Sequence, residues 1–171
     1  MRHSTWPVRP EVGIGRVPAH LAALVTLPRY GYLDAFTLTF PGADRWSAEQ
    51  WARAMFIDDR PLLVRAATRG LLGVMLNRPS APDRIGEYTI SSAEPAVLRG
   101  EVTSPRGADQ VVVAVEGHSV SLVTAVHRDT RAGKRVWGVV SRVHRLFARR
   151  VLRYAAARLP ATRMTVQADV S

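Results

Sequence analysis

The sequence contains no cysteine, a single lysine and no long apolar run. The absence of cysteine excludes disulfides, thiolate metal ligands and cysteine nucleophiles. No stretch approaches the roughly 20 consecutive apolar residues that a transmembrane helix needs. Residues 1–11 hold two arginines and two prolines without an apolar run behind them, which is unlike a signal peptide. We therefore expect a cytoplasmic protein.

The charge of the chain is strongly positive and comes almost entirely from arginine. The 24 basic residues include one lysine, Lys134, and face 14 acidic residues, which gives a formal net charge of +10. Such a balance fits an anionic partner, which could be nucleic acid, anionic lipid or an acidic metabolite. Arginine-rich usage also follows from a GC-rich genome, and evenly spread arginines keep a surface soluble without binding anything. We favour this second interpretation and keep the first as an alternative.

The length and the strand patterns predict one domain with an antiparallel meander. A chain of 171 residues fits a single domain. In the segment 32–40, Phe36 and Leu38 share one parity while Thr37 and Thr39 take the other, which predicts a half-buried strand. Short segments with period-two patterns and intervening turn residues predict further strands. They lie at 87–91, 96–103, 110–116 and 118–127.

Helical signals flank this meander on both sides. Ser47 and Gln50 form a capping-box pattern at the start of one helix. Pro61 opens a second helix with apolar residues at helical spacing up to Met75. The valine-rich segment 134–140 predicts a last strand, because β-branched residues favour strands. The segment 142–159 predicts the final helix, which Pro160 would end.

The order of these elements resembles the helix-grip fold of the START/SRPBCC superfamily, and more closely an actinobacterial family of START-like proteins. The resemblance covers residues 21–159 and lies in segments 27–36 (LPRYGYLDAF), 47–56 (SAEQWARAMF), 60–61 (RP) and 138–146 (GVVSRVHRL). It implies an α+β fold in which an antiparallel sheet curls around a long C-terminal helix, with two short helices after the first strand. We expect a flexible arm at 1–20, the START-like domain at 21–160 and a tail at 161–171.

The same resemblance implies a cavity between the sheet and the C-terminal helix that holds an apolar or amphipathic small molecule. Some members of the superfamily cyclise or dehydrate polyketides, others carry lipids, and others act as regulators. Fold alone does not decide among these activities. We expect small-molecule binding, with cofactor-free acid–base catalysis of the polyketide cyclase, dehydratase or isomerase type as the alternative.

Asp34 and His144 are the candidate catalytic residues. The parity of Asp34 matches Phe36 and Leu38, so its carboxylate points to the apolar side of the sheet, where it needs a partner. It could act as an acid or base there, or it could have a structural role by capping a turn or pairing with Arg60 or Arg65. His144 lies where the last strand meets the last helix and could move protons there. A structural role for each is the favoured alternative.

Further residues on predicted inward faces are candidate ligand contacts. Tyr88 and Tyr154 each offer a hydroxyl, as the few polar groups of mostly apolar sites do, although such tyrosines more often simply fill a core. Apolar side chains would form the remaining wall of the site. The complete set of candidates is Phe36, Tyr88, Trp137, Phe147, Val151 and Tyr154.

The sequence gives no signature of a metal, a cofactor or a nucleotide. The five histidines lack metal-site spacing, and neither a nucleophile-elbow motif nor a complete dinucleotide-binding glycine motif is found. Arg142, Arg145, Arg149 and Arg153 form a stripe on the final helix that could follow phosphates or lie on anionic lipid. The alternative is that this stripe is simply the solvated outer face of an amphipathic helix. Nucleic acid is the less favoured partner, because companion aromatic residues that stack on bases are not evident. A membrane surface stays an alternative, and either a monomer or a homodimer is compatible with the sequence.

Overall fold

The computed structural model describes residues 6–56, 81–104 and 107–168. The predicted second helix, from Pro61 to Met75, and the proposed arginine partners Arg60 and Arg65 lie outside these residues. The described elements are β1 (Val8–Val12), α1 (Ala19–Ala22), β2 (Tyr32–Thr39), α2 (Ala48–Phe56), β3 (Arg84–Ile85), β4 (Tyr88–Ala93), β5 (Val97–Ser104), β6 (Gly107–Glu116), β7 (Ser119–Arg128) and α3 (Arg131–Ala168).

The seven strands form one open antiparallel sheet in the order β1-β2-β7-β6-β5-β4-β3. The strands from β3 to β7 follow one another as hairpins, which confirms the predicted meander. Strand β2 then pairs with β7, the last strand of the meander. The chain is therefore α+β, and its long C-terminal helix and antiparallel sheet adopt a helix-grip arrangement.

One face of the sheet packs against helices α2 and α3. Alternate residues of β2, including Phe36 and Leu38, point to this face, as their parity predicted. They form one buried core with Trp51 and Met55 of α2 and with the inner side of α3. The interface between the sheet and α3 is therefore part of this buried core.

The opposite face of the sheet is covered by the segment between β1 and β2. Val17 and Leu21 are buried there against Leu33 and Ala35 of β2 and against residues of β6 and β7. The amide of Gln110 fixes this covering segment through hydrogen bonds with the backbone N–H of Thr26 (2.8 Å) and its hydroxyl (2.6 Å). The part of the sheet formed by β2, β6 and β7 is therefore covered on both sides.

Helix α2 begins at the predicted capping box. The Gln50 side chain accepts a hydrogen bond from the backbone N–H of Ser47 at 2.8 Å, and the Ser47 hydroxyl accepts from the N–H of Gln50 at 3.2 Å. The reciprocal pair satisfies two N–H groups that the start of a helix would otherwise leave without a partner. Trp51 and Met55, one turn apart, are then buried under the sheet.

The predicted last strand at 134–140 is wrong, because this segment forms the first turns of α3. The helix begins at Arg131, immediately after Thr130, whose hydroxyl accepts a hydrogen bond from the backbone N–H of Gly133 at 3.0 Å. This is the geometry of an N-cap. Strand preference depends strongly on context, so packing of one side of this segment on the sheet outweighs its valine content.

Both ends of the predicted domain also differ from expectation. Strand β1 lies within the predicted flexible arm and pairs with β2 from Val8↔Leu38 to Val12↔Asp34. Helix α3 continues past Pro160 to Ala168. A proline inside a helix removes one backbone hydrogen bond and costs about 3 kcal/mol, but it does not have to end the helix. None of the described helices is both long enough and apolar enough to cross a bilayer.

Candidate functional site

Asp34 lies on β2 under helix α3 and is completely buried. Its parity on the strand places it beside Phe36 on the helix-facing side, opposite Thr124 of β7. The Tyr32 hydroxyl, two residues earlier on the same face, donates a hydrogen bond to Oδ2 of Asp34. A buried carboxylate is costly unless it is paired or hydrogen-bonded, so this oxygen at least is compensated.

Helix α3 brings His144 to the same carboxylate. Nε2 of His144 lies 3.4 Å from Oδ2 of Asp34, so the two predicted catalytic residues meet although 110 positions separate them. The imidazole is also enclosed by rings, with the Trp137 centroid at 5.8 Å and the Phe36 centroid at 6.5 Å. Trp137 and His144 are seven residues apart, which places them on the same side of the helix.

We call the group of Tyr32, Asp34, Thr124, Trp137 and His144 the Asp34 cluster. Tyr32 contacts both the helix and the sheet residues of the cluster. Its ring contacts Trp137 edge-on, with 5.4 Å between centroids, and its hydroxyl donates a hydrogen bond to Asp34. Three of these residues come from the sheet and two from α3. The cluster therefore exists only when the helix lies across the strands.

An ion pair supports the cluster from the side. The Arg128 guanidinium binds both carboxylate oxygens of Asp109, with Nη2 at 2.9 Å from Oδ2. The central carbon (Cζ) of the Arg128 guanidinium lies 5.1 Å from the centre of the Trp137 ring, in a cation–π contact. Arg128 is the last residue of β7, so it links the end of this interior strand to the first turns of α3.

Four buried polar atoms of the cluster have no hydrogen-bond partner among the described residues. They are Oδ1 of Asp34, Oγ1 of Thr124, Nε1 of Trp137 and Nε2 of His144. Buried polar groups are nearly always hydrogen-bonded, so an unpartnered one calls for a functional or solvent explanation. Oδ1 of Asp34 is an acceptor and Nε1 of Trp137 is a donor, whereas the Thr124 hydroxyl and Nε2 of His144 can each donate or accept.

The surroundings of Tyr32 favour its neutral form. Burial and the adjacent Asp34 carboxylate both raise the pKa of the Tyr32 hydroxyl, and they outweigh Arg145, whose guanidinium acts in the opposite direction. Loss of the Tyr32 proton would place a second negative charge beside a buried carboxylate. Tyr32 is therefore a hydrogen-bond donor at neutral pH.

This raised pKa predicts a specific loss of stability at alkaline pH. The folded chain holds the Tyr32 proton more tightly than the unfolded chain, so its contribution is complete below about pH 10 and decreases as pH rises further. We expect Tyr32→Phe to flatten this alkaline decrease, as measured by urea unfolding between about pH 8 and pH 11. Tyr154→Phe is the control, since Tyr154 is solvent-exposed. An unchanged alkaline decrease in Tyr32→Phe would contradict the assignment.

The remaining predicted ligand contacts are more dispersed. Phe36 and Val151 are buried in the core, and Tyr88 and Phe147 are half-buried against it. Tyr88 packs on Phe56, with 5.9 Å between ring centroids. All four lie on the side of the sheet that packs against α2 and α3, which is also the side of the Asp34 cluster.

The predicted inward orientation of Tyr154 is wrong. Its side chain is 48% exposed, and its hydroxyl accepts a hydrogen bond from Arg158 one turn later, at 2.7 Å. At this level of α3 the buried residues are the neighbouring Ala155 and Ala156.

Sequence reasoning missed Tyr32, Thr124 and Arg145 as members or neighbours of the site. Tyr32 was detectable, because it shares the parity of Asp34 at two positions' distance. Thr124 was detectable only with the strand register, since its role follows from pairing with Asp34. For Arg145, the contact with Tyr32 depends on where the helix crosses the sheet, which no local pattern encodes.

Fold and cluster together define an α+β protein with a buried acid–imidazole–phenol group between an antiparallel sheet and its C-terminal helix. The chain matches no protein-family model, no curated protein and no solved structure.

Proposed function

We propose that this protein binds a small amphipathic molecule between its sheet and helix α3, as START-like proteins do. The polar end of the molecule occupies the Asp34 cluster. The observation that carries the proposal is Oδ1 of Asp34, an acceptor on a completely buried carboxylate without a hydrogen-bond partner. A ligand hydroxyl that donates to this oxygen would satisfy it.

The other unpartnered atoms specify the ligand further. Nε1 of Trp137 can only donate, whereas the hydroxyl of Thr124 can donate or accept. A group that both donates and accepts, such as a hydroxyl beside a carbonyl, complements them together. The apolar part of the molecule would lie along Phe36 and the half-buried Phe147, because small-molecule sites are mostly apolar with a few placed polar groups.

Native mass spectrometry of the purified full-length protein tests this proposal. We expect either a co-purified molecule or uptake of an added naphthol or medium-chain hydroxy fatty acid. Thr124→Val should weaken the affinity for the added probe about fivefold, because a neutral hydrogen bond contributes about 1 kcal/mol. Asp34→Asn should weaken it about tenfold or more, because a hydrogen bond to a charged group contributes about 1.5–3 kcal/mol.

Thr37→Val is the matched control for Thr124→Val. Thr37 lies on β2 but on the opposite face of the sheet, where its hydroxyl contacts Ser121 at 2.8 Å. Its loss should leave ligand occupancy unchanged. Equal occupancy in all three variants, or no binding of either probe by the wild type, would refute a site at the Asp34 cluster.

The acid–base enzyme is the second candidate, favoured by one specific observation. Tyr32 and His144 both approach the same oxygen of Asp34, so three proton-carrying groups are adjacent in one buried place. Such an arrangement can serve cofactor-free cyclisation, dehydration or isomerisation, in which protons are moved between positions of one molecule. Asp34→Asn that retains the bound molecule but abolishes its conversion, with an unchanged melting temperature, would favour this candidate.

A further inference from the structure

Helix α3 exposes a row of apolar side chains on the side turned away from the sheet. Val136, Val139, Val143 and Leu146 are 55%, 62%, 52% and 63% exposed. Their spacing of three, four and three residues places them in one line along the helix. Ten residues at 1.5 Å per residue make this apolar row about 15 Å long. Single exposed apolar residues are ordinary, but a continuous row indicates an interaction surface.

The surroundings of the apolar row are uniformly basic. The sequence of α3 contains no aspartate or glutamate from Arg131 to Ala168. Exposed arginines border the row or continue it at Arg135, Arg142, Arg150 and Arg153. An apolar strip with cationic side chains beside it is typical of helices that lie in the plane of a membrane surface.

The charge decides which partner this surface fits. A second copy of the chain would place two basic, acid-free helices against each other, and like charges across an interface are costly. Nucleic acid would satisfy the arginines but leave the valines and Leu146 without an apolar partner. An anionic bilayer satisfies both, because lipid phosphates bind the guanidinium groups while the acyl boundary takes up the apolar side chains.

We propose that α3 docks this protein onto anionic phospholipid membranes through the apolar row and its bordering arginines. The net charge of +10 adds a long-range attraction that brings the protein to a negative surface. The buried side of the helix keeps its contacts with the sheet in this arrangement. Docking therefore does not require the Asp34 cluster to open, and it is independent of what that cluster binds.

Vesicle co-sedimentation of the full-length protein tests the proposal. We expect binding to phosphatidylcholine vesicles that contain phosphatidylglycerol and little binding to phosphatidylcholine alone. Each arginine near the surface contributes about fivefold in affinity, so Arg142→Gln with Arg150→Gln should weaken binding about tenfold or more. Val139→Ser with Leu146→Ser should have a similar effect through the lost apolar contacts. All four positions are exposed, so the fold tolerates these changes.

Two control variants separate the helix from the rest of the surface. Arg16→Gln with Arg29→Gln removes the same charge from exposed positions outside α3. Ile14→Ser removes an apolar side chain that is 60% exposed elsewhere. The arginine control should weaken vesicle binding much less than Arg142→Gln with Arg150→Gln, and Ile14→Ser should bind as the wild type does.

Several results would overturn the proposal. Equal weakening by the arginine control would show that binding depends on net charge alone. Full binding by Val139→Ser with Leu146→Ser would show that the apolar row makes no contact with the membrane. A wild-type dimer in light scattering that Val139→Ser with Leu146→Ser dissociates would assign the surface to a second copy. Binding of duplex DNA but not of vesicles would assign it to nucleic acid.

Discussion

Replacement of Arg128 by methionine is expected to lower the free energy of unfolding by about 3–5 kcal/mol, because it leaves the Asp109 carboxylate buried without its counter-charge. The side chains of Arg128 and Asp109 are only 16% and 11% exposed. Solvent therefore cannot replace the lost guanidinium. The same substitution removes the cation from the Trp137 ring, so the first turns of α3 should loosen as well.

A double variant shows whether the stability lost in Arg128→Met comes from the unpaired charge of Asp109. Arg128→Met combined with Asp109→Leu removes both ions, and apolar replacement of a whole buried pair is often neutral or stabilising. We expect it to recover most of the stability that the single variant loses in urea unfolding. A single variant within about 1 kcal/mol of the wild type would instead indicate an ion pair screened by solvent.

Trp51→Ala is expected to cost about 3–5 kcal/mol, which is a large share of the stability of an ordinary domain. Trp51 is completely buried at the junction of α2 and the sheet. Its ring contacts Phe40 at 5.6 Å and Trp46 at 6.1 Å between centroids, and its Nε1 donates to the carbonyl oxygen of Ala43 at 2.9 Å. Truncation removes all of these contacts together and leaves a cavity.

Graded variants distinguish packing from hydrogen bonding at this position. Trp51→Phe retains an aromatic ring but not the N–H, so we expect a smaller loss in urea unfolding than for alanine. Trp6→Ala is the control, because Trp6 contacts the same Phe40 ring at 5.0 Å but is only half-buried. Equal losses in Trp51→Ala and Trp6→Ala would contradict the central role of Trp51 in this aromatic group.

The sequence patterns predicted the meander and the faces of its strands well. Parity alone placed Asp34 and Phe36 on the same buried side, because side chains alternate strictly along a strand. Strand β1 escaped detection for an equally physical reason. It is a short edge strand with Arg9, Pro10 and Glu11 at its centre, and charged residues and proline are common on edge strands but untypical of buried ones.

The start of α3 shows how two local signals can conflict. The valines at 136, 139 and 140 favour a strand, whereas Thr130 with Gly133 three residues later marks a helix N-cap. The structure follows the cap, since the segment after Thr130 is helical. Once the helix begins at Arg131, the valines divide between a buried side with Val140 and the exposed apolar row.

The candidate site was predictable in its components but not in its assembly. Asp34 stood out because a carboxylate on an apolar face is uncommon. His144 was selected for its place at a predicted strand–helix junction, and this was wrong, because the residue lies inside the continuous helix α3. Their 3.4 Å approach depends on where α3 crosses β2. That crossing is set by the whole interface between helix and sheet, which explains why Trp137 and Tyr32 complete the cluster without any motif that links them.

The position of β2 in the sheet also has a kinetic meaning. Strands β3 to β7 can assemble through successive local hairpins, but Asp34 pairs with Thr124, 90 residues further along the chain. Closing so long a loop costs entropy before any contact compensates for it, and contacts distant in sequence slow folding. The meander can therefore form before β2 joins it, whereas β2 pairs with β7 and can join the sheet only after that strand has formed. The strand that carries the buried carboxylate thus depends on the slowest kind of contact in the fold.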